Sequence, residues 1–284
     1  MDFAPFLEDF LSYLKGVKNY SNNTLRAYSS DLTCYIEHLN GDQPSCKSQR
    51  QYLYILRQKG LSPTTIKRRV AVIKSFNAFL LRNFQMDILG IECLESPKCQ
   101  RTIPDYLSED EILLLLDPAN HRSSVAGYRN IAILEMLYST GARVSEICDM
   151  KEKDVYFSEG KVKIYGKGQK DRFAPLTLKC SLCVKEYMER KEESEYLFIS
   201  TSGRKLRRET IYVMIKKLAK KIGIEKNISP HTLRHSFATH MLNQGVNLRM
   251  VQYLLGHRHI STTEIYLHVT QEAINQAIRM HPRS

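Results

Sequence analysis

The amino-acid sequence of 284 residues predicts two domains: an all-α N-terminal domain and a mixed α/β, mainly helical second domain with a small antiparallel sheet. Three observations support this fold class. Residues 1–84 carry apolar side chains at helical spacing only, residues 85–105 lose that spacing, and two short alternating segments appear in the second half. We expect the first domain to span residues 1–95, a linker residues 96–105, and the second domain residues 106–284.

The first domain is predicted to contain helices only. Its clearest helix begins at Ser62, an N-cap followed by a proline at the first helical position. The apolar stripe of this helix is backed by Lys67, Arg68 and Lys74, which suits contact with phosphates but is also typical of an ordinary solvated surface. Two further helices are predicted over residues 2–17 and 21–39.

Capping signals and turns mark the elements of the second domain. Ser108 and Glu111 form a capping box that starts a helix, and a largely apolar segment over residues 130–140 ends at Gly141. Alternation on either side of a glycine-bearing turn predicts two short antiparallel strands. The strands are expected over residues 161–164 and 172–176, and further helices over residues 209–222, 230–244 and 248–255.

The net charge favours a polyanionic partner. The chain holds 42 Lys and Arg against 30 Asp and Glu, which gives a net charge of +12 and a pI near 9.3. Nucleic acid is the commonest partner for such an excess. With 43% apolar residues the chain can bury a real core, which argues against a disordered or fibrous protein. No run approaches the ~18 apolar residues of a membrane span and the N-terminus is acidic, so we expect a soluble, cytoplasmic protein.

The cysteines and histidines do not predict a metal site. Seven cysteines are scattered along the chain, and this odd number does not fit a disulfide framework, so we expect a reducing compartment. Cys180 and Cys183 have metal-like spacing, as do His231 and His235. However, no second cysteine pair and no glutamate of an HExxH motif accompany them. We therefore expect neither a bound metal nor a cofactor.

Two segments of the second domain place cations where a phosphate could bind. In Thr140–Glu146, Arg143 lies just past a helix end and Glu146 follows three residues later on the same face, as a partner that a buried arginine needs. Lys167 lies at the tip of the turn between the two predicted strands, where glycines permit close approach of the backbone to a ligand.

Two later segments add histidines, an arginine and a tyrosine. His231 and Arg234 lie one turn apart near a predicted helix N-terminus, a favourable place for an anion. His257 is followed nine residues later by Tyr266. Together the four segments contain the groups that cleavage of a phosphodiester without a metal would need.

These motifs identify a resemblance. TGARVSE, YGKGQKDR, HTLRHSFATH and LLGHRHISTTEIY, with the N-terminal SNNTLRAYSSDL, resemble the tyrosine recombinase (phage integrase) family, and within it the bacterial XerC and XerD proteins that resolve chromosome dimers. The closing residues 281–284 look more like those of XerC. The resemblance implies a SAM-like helical core-binding domain followed by a tyrosine recombinase catalytic domain. It also implies cleavage and rejoining of duplex DNA through a 3′-phosphotyrosyl intermediate, without metal or ATP.

The resemblance also implies roles for particular residues. Arg143 and Arg234 would clamp the phosphate, Lys167 would protonate the leaving 5′-oxygen, and Tyr266 would be the nucleophile. A tyrosine of ordinary pKa, about 10, is a poor nucleophile, so a nearby base or positive charge is required. The expected catalytic set is Arg143, Lys167, His231, Arg234, His257 and Tyr266, with Glu146 supporting Arg143 and with DNA contacts from Lys67, Arg68, Lys74, Lys170 and Arg172.

The expected partners are duplex DNA and other recombinase subunits. A XerC-like protein would act with a XerD-like recombinase in a heterotetramer on DNA, and a homo-oligomer is possible; no membrane partner is expected. The resemblance also implies that the segment after Tyr266 docks on a neighbouring subunit. Apolar residues recur there at helical spacing, although such a helix could also fold back on its own domain. These residues are Val269, Ala273, Ile274, Ala277 and Ile278.

Other functions stay open at the level of the sequence. A non-catalytic DNA-binding protein could keep this fold, although the intact set of six residues argues against it. A type IB topoisomerase would share the nucleophile and arginines but relax supercoils without site choice. An integrase of a phage or mobile element is the third alternative.

Overall fold

A computed structural model describes residues 3–86, 93–97, 105–121, 123–166, 171–256 and 277–283. The chain divides into two compact units, Met1–Thr102 and Ile103–Ser284. The described elements are mostly helical with one small antiparallel sheet, which confirms the predicted fold class.

The first unit consists of helices around one apolar core. Helix α2 packs on α1 and α4, and α3 packs between α2 and α4. The core includes the fully buried side chains of Leu32, Tyr35, Val70, Ile73 and Leu80, three of which belong to the stripe predicted for the last helix. The helices are α1 (Ala4–Gly16), α2 (Asn22–Leu39), α3 (Cys46–Gln58) and α4 (Pro63–Phe84).

Side-chain caps fix where the helices of the first unit begin. The hydroxyl of Ser62 accepts a hydrogen bond from the backbone N–H of Thr65, as predicted for the start of α4. Helix α3 was not predicted. It begins at a reciprocal cap between Ser45 and Ser48. Its buried stripe starts at the polar Gln49 and continues with only three apolar residues, Tyr52, Leu53 and Leu56, in an otherwise polar helix.

One pair of cysteines corrects the expectation that none is bonded. Cys46, the first residue of α3, forms a disulfide with Cys93, and their Cα atoms lie 5.4 Å apart. The two residues are separated by 47 positions in the chain. Because only the tertiary fold brings two positions so far apart in the chain together, the spacing of cysteines in the sequence could not show the bond.

The second unit combines helices with a three-stranded antiparallel sheet of order β1-β2-β3. Strands β2 and β3 were predicted, and Ile164 of β2 pairs with Arg172 of β3 at the end nearest the turn. The short β1 was missed, since two residues cannot show alternation. The elements are α5 (Glu109–Leu115), α6 (Val125–Thr140), α7 (Val144–Asp149), β1 (Val155–Tyr156), β2 (Lys161–Ile164), β3 (Arg172–Pro175), α8 (Leu178–Met188), α9 (Arg208–Lys221), α10 (Pro230–Asn243) and α11 (Leu248–Leu255).

Helix α6 is the central element of this unit. It packs on α8 and α10, and its residues from Ile131 to Thr140 are all buried. It ends at Gly141, which has a φ of 59° and whose missing Cβ would lie 2.5 Å from a ring carbon of Phe237. Glycine is therefore required both by the backbone and by the close approach of α10.

The last described residues pack against the same unit. Ala277 is 1% exposed and belongs to the core of the second unit, and Ile278 lies near Gly160. A buried ion pair joins Arg283 to Glu135 of α6. In this structure Ala277 and Ile278 contact their own domain, as expected if the segment folds back. Docking of the segment on a neighbouring subunit stays a prediction. Val269, Ala273 and Ile274 lie outside the described residues.

None of the described helices has the length and apolar character that crossing a bilayer requires.

Candidate active site

The candidate site lies in the second unit, where the start of α7 and the end of α11 meet α10. Arg143 is the N-cap of α7, and Arg234 lies in the second turn of α10. Both guanidinium groups donate hydrogen bonds to carbonyl oxygens at helix ends. The sequence-predicted residues Arg143, Glu146 and Arg234 are thus brought together.

Glu146 of α7 is the acceptor that organises one side of the site. Its Oε1 accepts from Arg143 Nη1 at 2.9 Å, and its Oε2 accepts from the backbone N–H of Arg143 at 2.7 Å. Arg172 donates to both oxygens, from Nη1 at 3.0 Å and from Nη2 at 2.8 Å. Burial raises the pKa of Glu146, but the ion pair with Arg172 and the bonds from Arg143 outweigh it, so the pKa lies below its ordinary value.

Arg234 is held by the backbone. Its Nη1 donates to the carbonyl oxygen of Gly141 at 2.6 Å, and its Nη2 donates to that of Leu255, at the end of α11. Burial, and then the positive charge of Arg143, lower the pKa of Arg234 to about 10. The guanidinium is still protonated at neutral pH. Arg143 and Arg234 bond the carbonyl oxygens of the adjacent residues Gly256 and Leu255, so their two positive charges lie near each other. An anion between them would relieve this repulsion.

His231 is exposed at the start of α10. The helix is capped by Ser229, whose hydroxyl accepts from the N–H of Thr232, and Pro230 occupies the first helical position. His231 occupies the second helical position, where the dipole of the helix favours an anion. His235, one turn further on, is half-buried, and its ring packs edge-on against Tyr106.

Four predicted site residues, Lys167, Lys170, His257 and Tyr266, lie outside the described residues. Their neighbours in the chain are described. Gly256, just before His257, offers its carbonyl oxygen to Arg143 Nη2 at 3.4 Å.

The predicted DNA contact of Arg172 is corrected by the structure. Its side chain is only 4% exposed and all its donors face protein acceptors, since Nε donates to the carbonyl oxygen of Leu254 at 2.7 Å and both Nη atoms bond Glu146. The alternation of side chains along β3 is consistent with this burial. Arg172 and Ala174 point to the same face of β3, and Ala174 is fully buried.

The basic residues predicted on α4 have different surroundings. Lys67 and Arg68 are exposed and Lys74 is half-buried. Arg68 forms an ion pair with Asp31 of α2, a carboxylate that is 2% exposed and that also lies 3.1 Å from Arg69 Nε. Arg68 therefore carries a charge that is already partly neutralised.

The cysteine pair on α8 lies in apolar surroundings. Cys180 is fully buried, and burial raises the pKa of its thiol well above the ordinary value. Burial also raises the pKa of Cys183 to about 11. Thiols that stay protonated are poor metal ligands. Within the described ranges, no three His, Cys, Asp or Glu side chains cluster closely enough to hold a metal ion.

The arrangement suits an oxyanion with a delocalised negative charge. Planar guanidinium groups match the non-bridging oxygens of a phosphodiester, and groups that are already oriented by the protein need not reorganise when charge develops. Arg143 and Arg234 meet both conditions, since Glu146 and three backbone carbonyls orient them.

Two profiles of known protein families match the chain. A profile of the phage integrase family matches residues 105–273, and a profile of the phage integrase N-terminal SAM-like domain matches residues 7–83. The chain is 38% identical over 294 residues to the tyrosine recombinase XerD of Halalkalibacterium halodurans and 38% identical over 295 residues to that of Oceanobacillus iheyensis; both alignments cover 98% of each chain. Since these relatives are named XerD, a particular closeness to XerC is not supported.

Solved structures agree on the fold. The crystal structure of XerA recombinase matches with a TM-score of 0.51 at 29% identity, covering 98% of each chain. The XerH site-specific recombinase in a pre-cleavage complex with its difH substrate matches with a TM-score of 0.71 at 21% identity, covering 95% of this chain and 82% of that one.

Proposed function

Since the chain belongs to the phage integrase family of tyrosine recombinases, we propose that it cuts and rejoins duplex DNA through a phosphotyrosyl bond formed by Tyr266. The enzyme is a DNA strand-transferase. The observation that carries the proposal is the pair of oriented guanidinium groups, Arg143 and Arg234, held by Glu146 and by carbonyls at helix ends.

Each group of the proposed site has one task. Arg143 and Arg234 bind the non-bridging oxygens and stabilise the two negative charges of the pentacoordinate species. His231 receives the proton of the Tyr266 hydroxyl as its oxygen attacks phosphorus, and the bond to the 5′-oxygen breaks.

Lys167 gives a proton to that leaving oxygen, and His257 donates a hydrogen bond to a non-bridging oxygen. The products are a 3′-phosphotyrosyl bond and a free 5′-hydroxyl, so the energy of the phosphodiester is kept for rejoining.

The test is covalent trapping on a DNA duplex nicked next to the cleavage point. The wild-type protein should form a protease-sensitive adduct, and Tyr266→Phe should form none while binding the duplex with unchanged affinity. Tyr212→Phe, at a half-buried tyrosine of α9, is the matched control and should form the adduct normally. An adduct with Tyr266→Phe would refute the assignment.

The chemistry should not need a divalent metal. Adduct formation in excess EDTA should equal that in magnesium, because the charge of the phosphate is neutralised by arginines. Loss in EDTA with recovery on adding magnesium would instead indicate metal-assisted hydrolysis.

We further propose that the biological role is of the Xer type, the resolution of chromosome dimers in the cytoplasm. The XerD relatives support this role and favour a XerD-like position, rather than a XerC-like one, in an assembly of recombinases on DNA. A selection on random duplex DNA tests the proposal. Two different half-sites would support a second, distinct recombinase as partner, whereas two identical half-sites would support a homo-oligomer.

The two alternative enzymes, a type IB topoisomerase and an integrase of a mobile element, would give different results in simple assays. Relaxation of supercoiled plasmids that lack any selected site would indicate a topoisomerase of type IB. Recombination between a selected site and the end of a mobile element, but not between two chromosomal sites, would indicate an integrase.

A further inference from the structure

We propose that Arg172 is a positioning residue of the strand-transfer site, which locks Glu146 and the end of α11 so that Arg143 keeps donors for the phosphate. The proposal rests on the proposed function and adds to it a residue that contacts neither DNA nor the reacting atoms. Its basis is a set of contacts that join three elements.

The Arg172 side chain links β3, α7 and α11. Its Nε donates to the carbonyl oxygen of Leu254 at 2.7 Å, while its two Nη atoms donate to the two oxygens of Glu146 at 3.0 and 2.8 Å. Gly256 allows the close approach, because a Cβ at that position would lie 3.0 Å from Arg172 Nη1. Arg143 begins α7, and His257 directly follows Gly256. The buried guanidinium of Arg172 therefore holds the start of α7, where Arg143 lies, and the end of α11, which leads to His257.

The sharing of Glu146 decides how Arg143 is oriented. Because Arg172 occupies both carboxylate oxygens in a bidentate pair, Arg143 reaches Glu146 with a single side-chain nitrogen, Nη1. The Arg143 side chain is 40% exposed, so the rest of its guanidinium can meet a ligand. Without Arg172, Glu146 would be a buried carboxylate with Arg143 as its nearest cation. Arg143 would then turn to pair with both oxygens and lose donors for a phosphate.

Lysine cannot replace arginine here. The interaction needs three N–H groups in one plane, two toward Glu146 and one toward Leu254, and an ammonium group cannot present its donors in this fork. Arg172→Lys keeps a positive charge near Glu146 but loses the planar set of hydrogen bonds to Glu146 and Leu254. This substitution is accordingly the sharpest test.

The matched control is Arg129→Lys. Arg129 of α6 is another buried arginine of the second unit, and its Nη1 donates to the carbonyl oxygen of Ile199 at 3.1 Å, away from Glu146. We expect Arg172→Lys to lower the rate of adduct formation at saturating nicked DNA at least tenfold, with less than a threefold change in the affinity for duplex DNA. Arg129→Lys should leave both quantities unchanged. Equal rates for the two variants would overturn the proposal.

A second measurement does not depend on catalysis. In Arg172→Lys, hydrogen exchange of the backbone should become faster in α7 and in the last turn of α11, and should stay unchanged in α9. In Arg129→Lys, exchange in α7 and in the last turn of α11 should stay unchanged. If the wild-type protein forms no adduct, the proposed function fails, yet hydrogen exchange still decides whether Arg172 holds α7 and α11 in place. Unchanged exchange in both segments would show that it does not.

Discussion

Replacing Arg283 should expose how the C-terminal residues stabilise the second unit. Arg283→Ala removes the cation that pairs with Glu135, a carboxylate 1% exposed inside α6. Breaking a buried pair from one side leaves an uncompensated charge and costs about 3–5 kcal/mol. Glu135 Oε2 and Arg283 Nε lack hydrogen-bond partners in the described part of the chain, so the pair makes few contacts and we expect the lower value.

The loss should depend on pH in a defined direction. Burial raises the pKa of Glu135 above its ordinary value of 4.5, although Arg283 opposes the rise. A carboxyl with a raised pKa binds protons more readily in the folded state, so its ionisation reduces stability as the pH rises from the ordinary pKa through the folded one. Removing Arg283 raises the folded pKa further. The difference between variant and wild type should therefore be larger at pH 8 than at pH 5.5.

Thermal unfolding followed by circular dichroism measures the effect. Since 1 kcal/mol corresponds to about 2–4 °C for a domain of this size, the transition of the second unit should fall by about 6–12 °C at pH 8. His281 stays neutral at both pH values, because burial lowers its pKa to about 4. Glu135→Gln in the Arg283→Ala background should recover stability at pH 8. A loss that is the same at both pH values, or no recovery, would refute the reasoning.

Two further predictions concern the candidate site. Arg143→Ala and Arg234→Ala should each slow adduct formation at saturating DNA by roughly a hundredfold or more, the effect of removing an oriented charge donor; a loss of DNA affinity as large as the loss of rate would make them anchors instead. Gly141→Ala should destabilise the second unit by about 2–5 kcal/mol, because alanine is strained in the left-handed backbone conformation and its Cβ would clash with Phe237. An unchanged melting temperature would contradict the packing described for Gly141.

Elements with local signals could be predicted from the sequence. Helix α11 runs over Leu248–Leu255 as expected, since its apolar period is strong and Gly256 ends it. The start of α5 at the capping box of Ser108 and Glu111 is confirmed as well. In each case the residues that decide the structure lie within the element itself or next to its end.

Features that depend on distant residues could not be predicted. The burial of Arg172 requires Glu146 and Leu254, which lie 26 and 82 positions away in the chain. Its charge suggested a phosphate contact, and only the packing of β3 against α7 and α11 shows that the charge is neutralised inside the protein. The contacts of Ala277 are of the same kind, since an apolar helical face indicates burial but not which molecule supplies the partner surface.

The buried carboxylate of Asp31 also bears on how salt would affect DNA binding. Each cation that moves to a phosphate releases condensed counterions and adds about 0.9 to the slope of log affinity against log salt concentration. Arg68 and Arg69 already face Asp31, so a phosphate would have to compete with that carboxylate for them. If α4 contacts DNA as the sequence predicts, Asp31→Asn would remove this competing carboxylate, and the affinity for DNA would become more sensitive to ionic strength than in the natural chain.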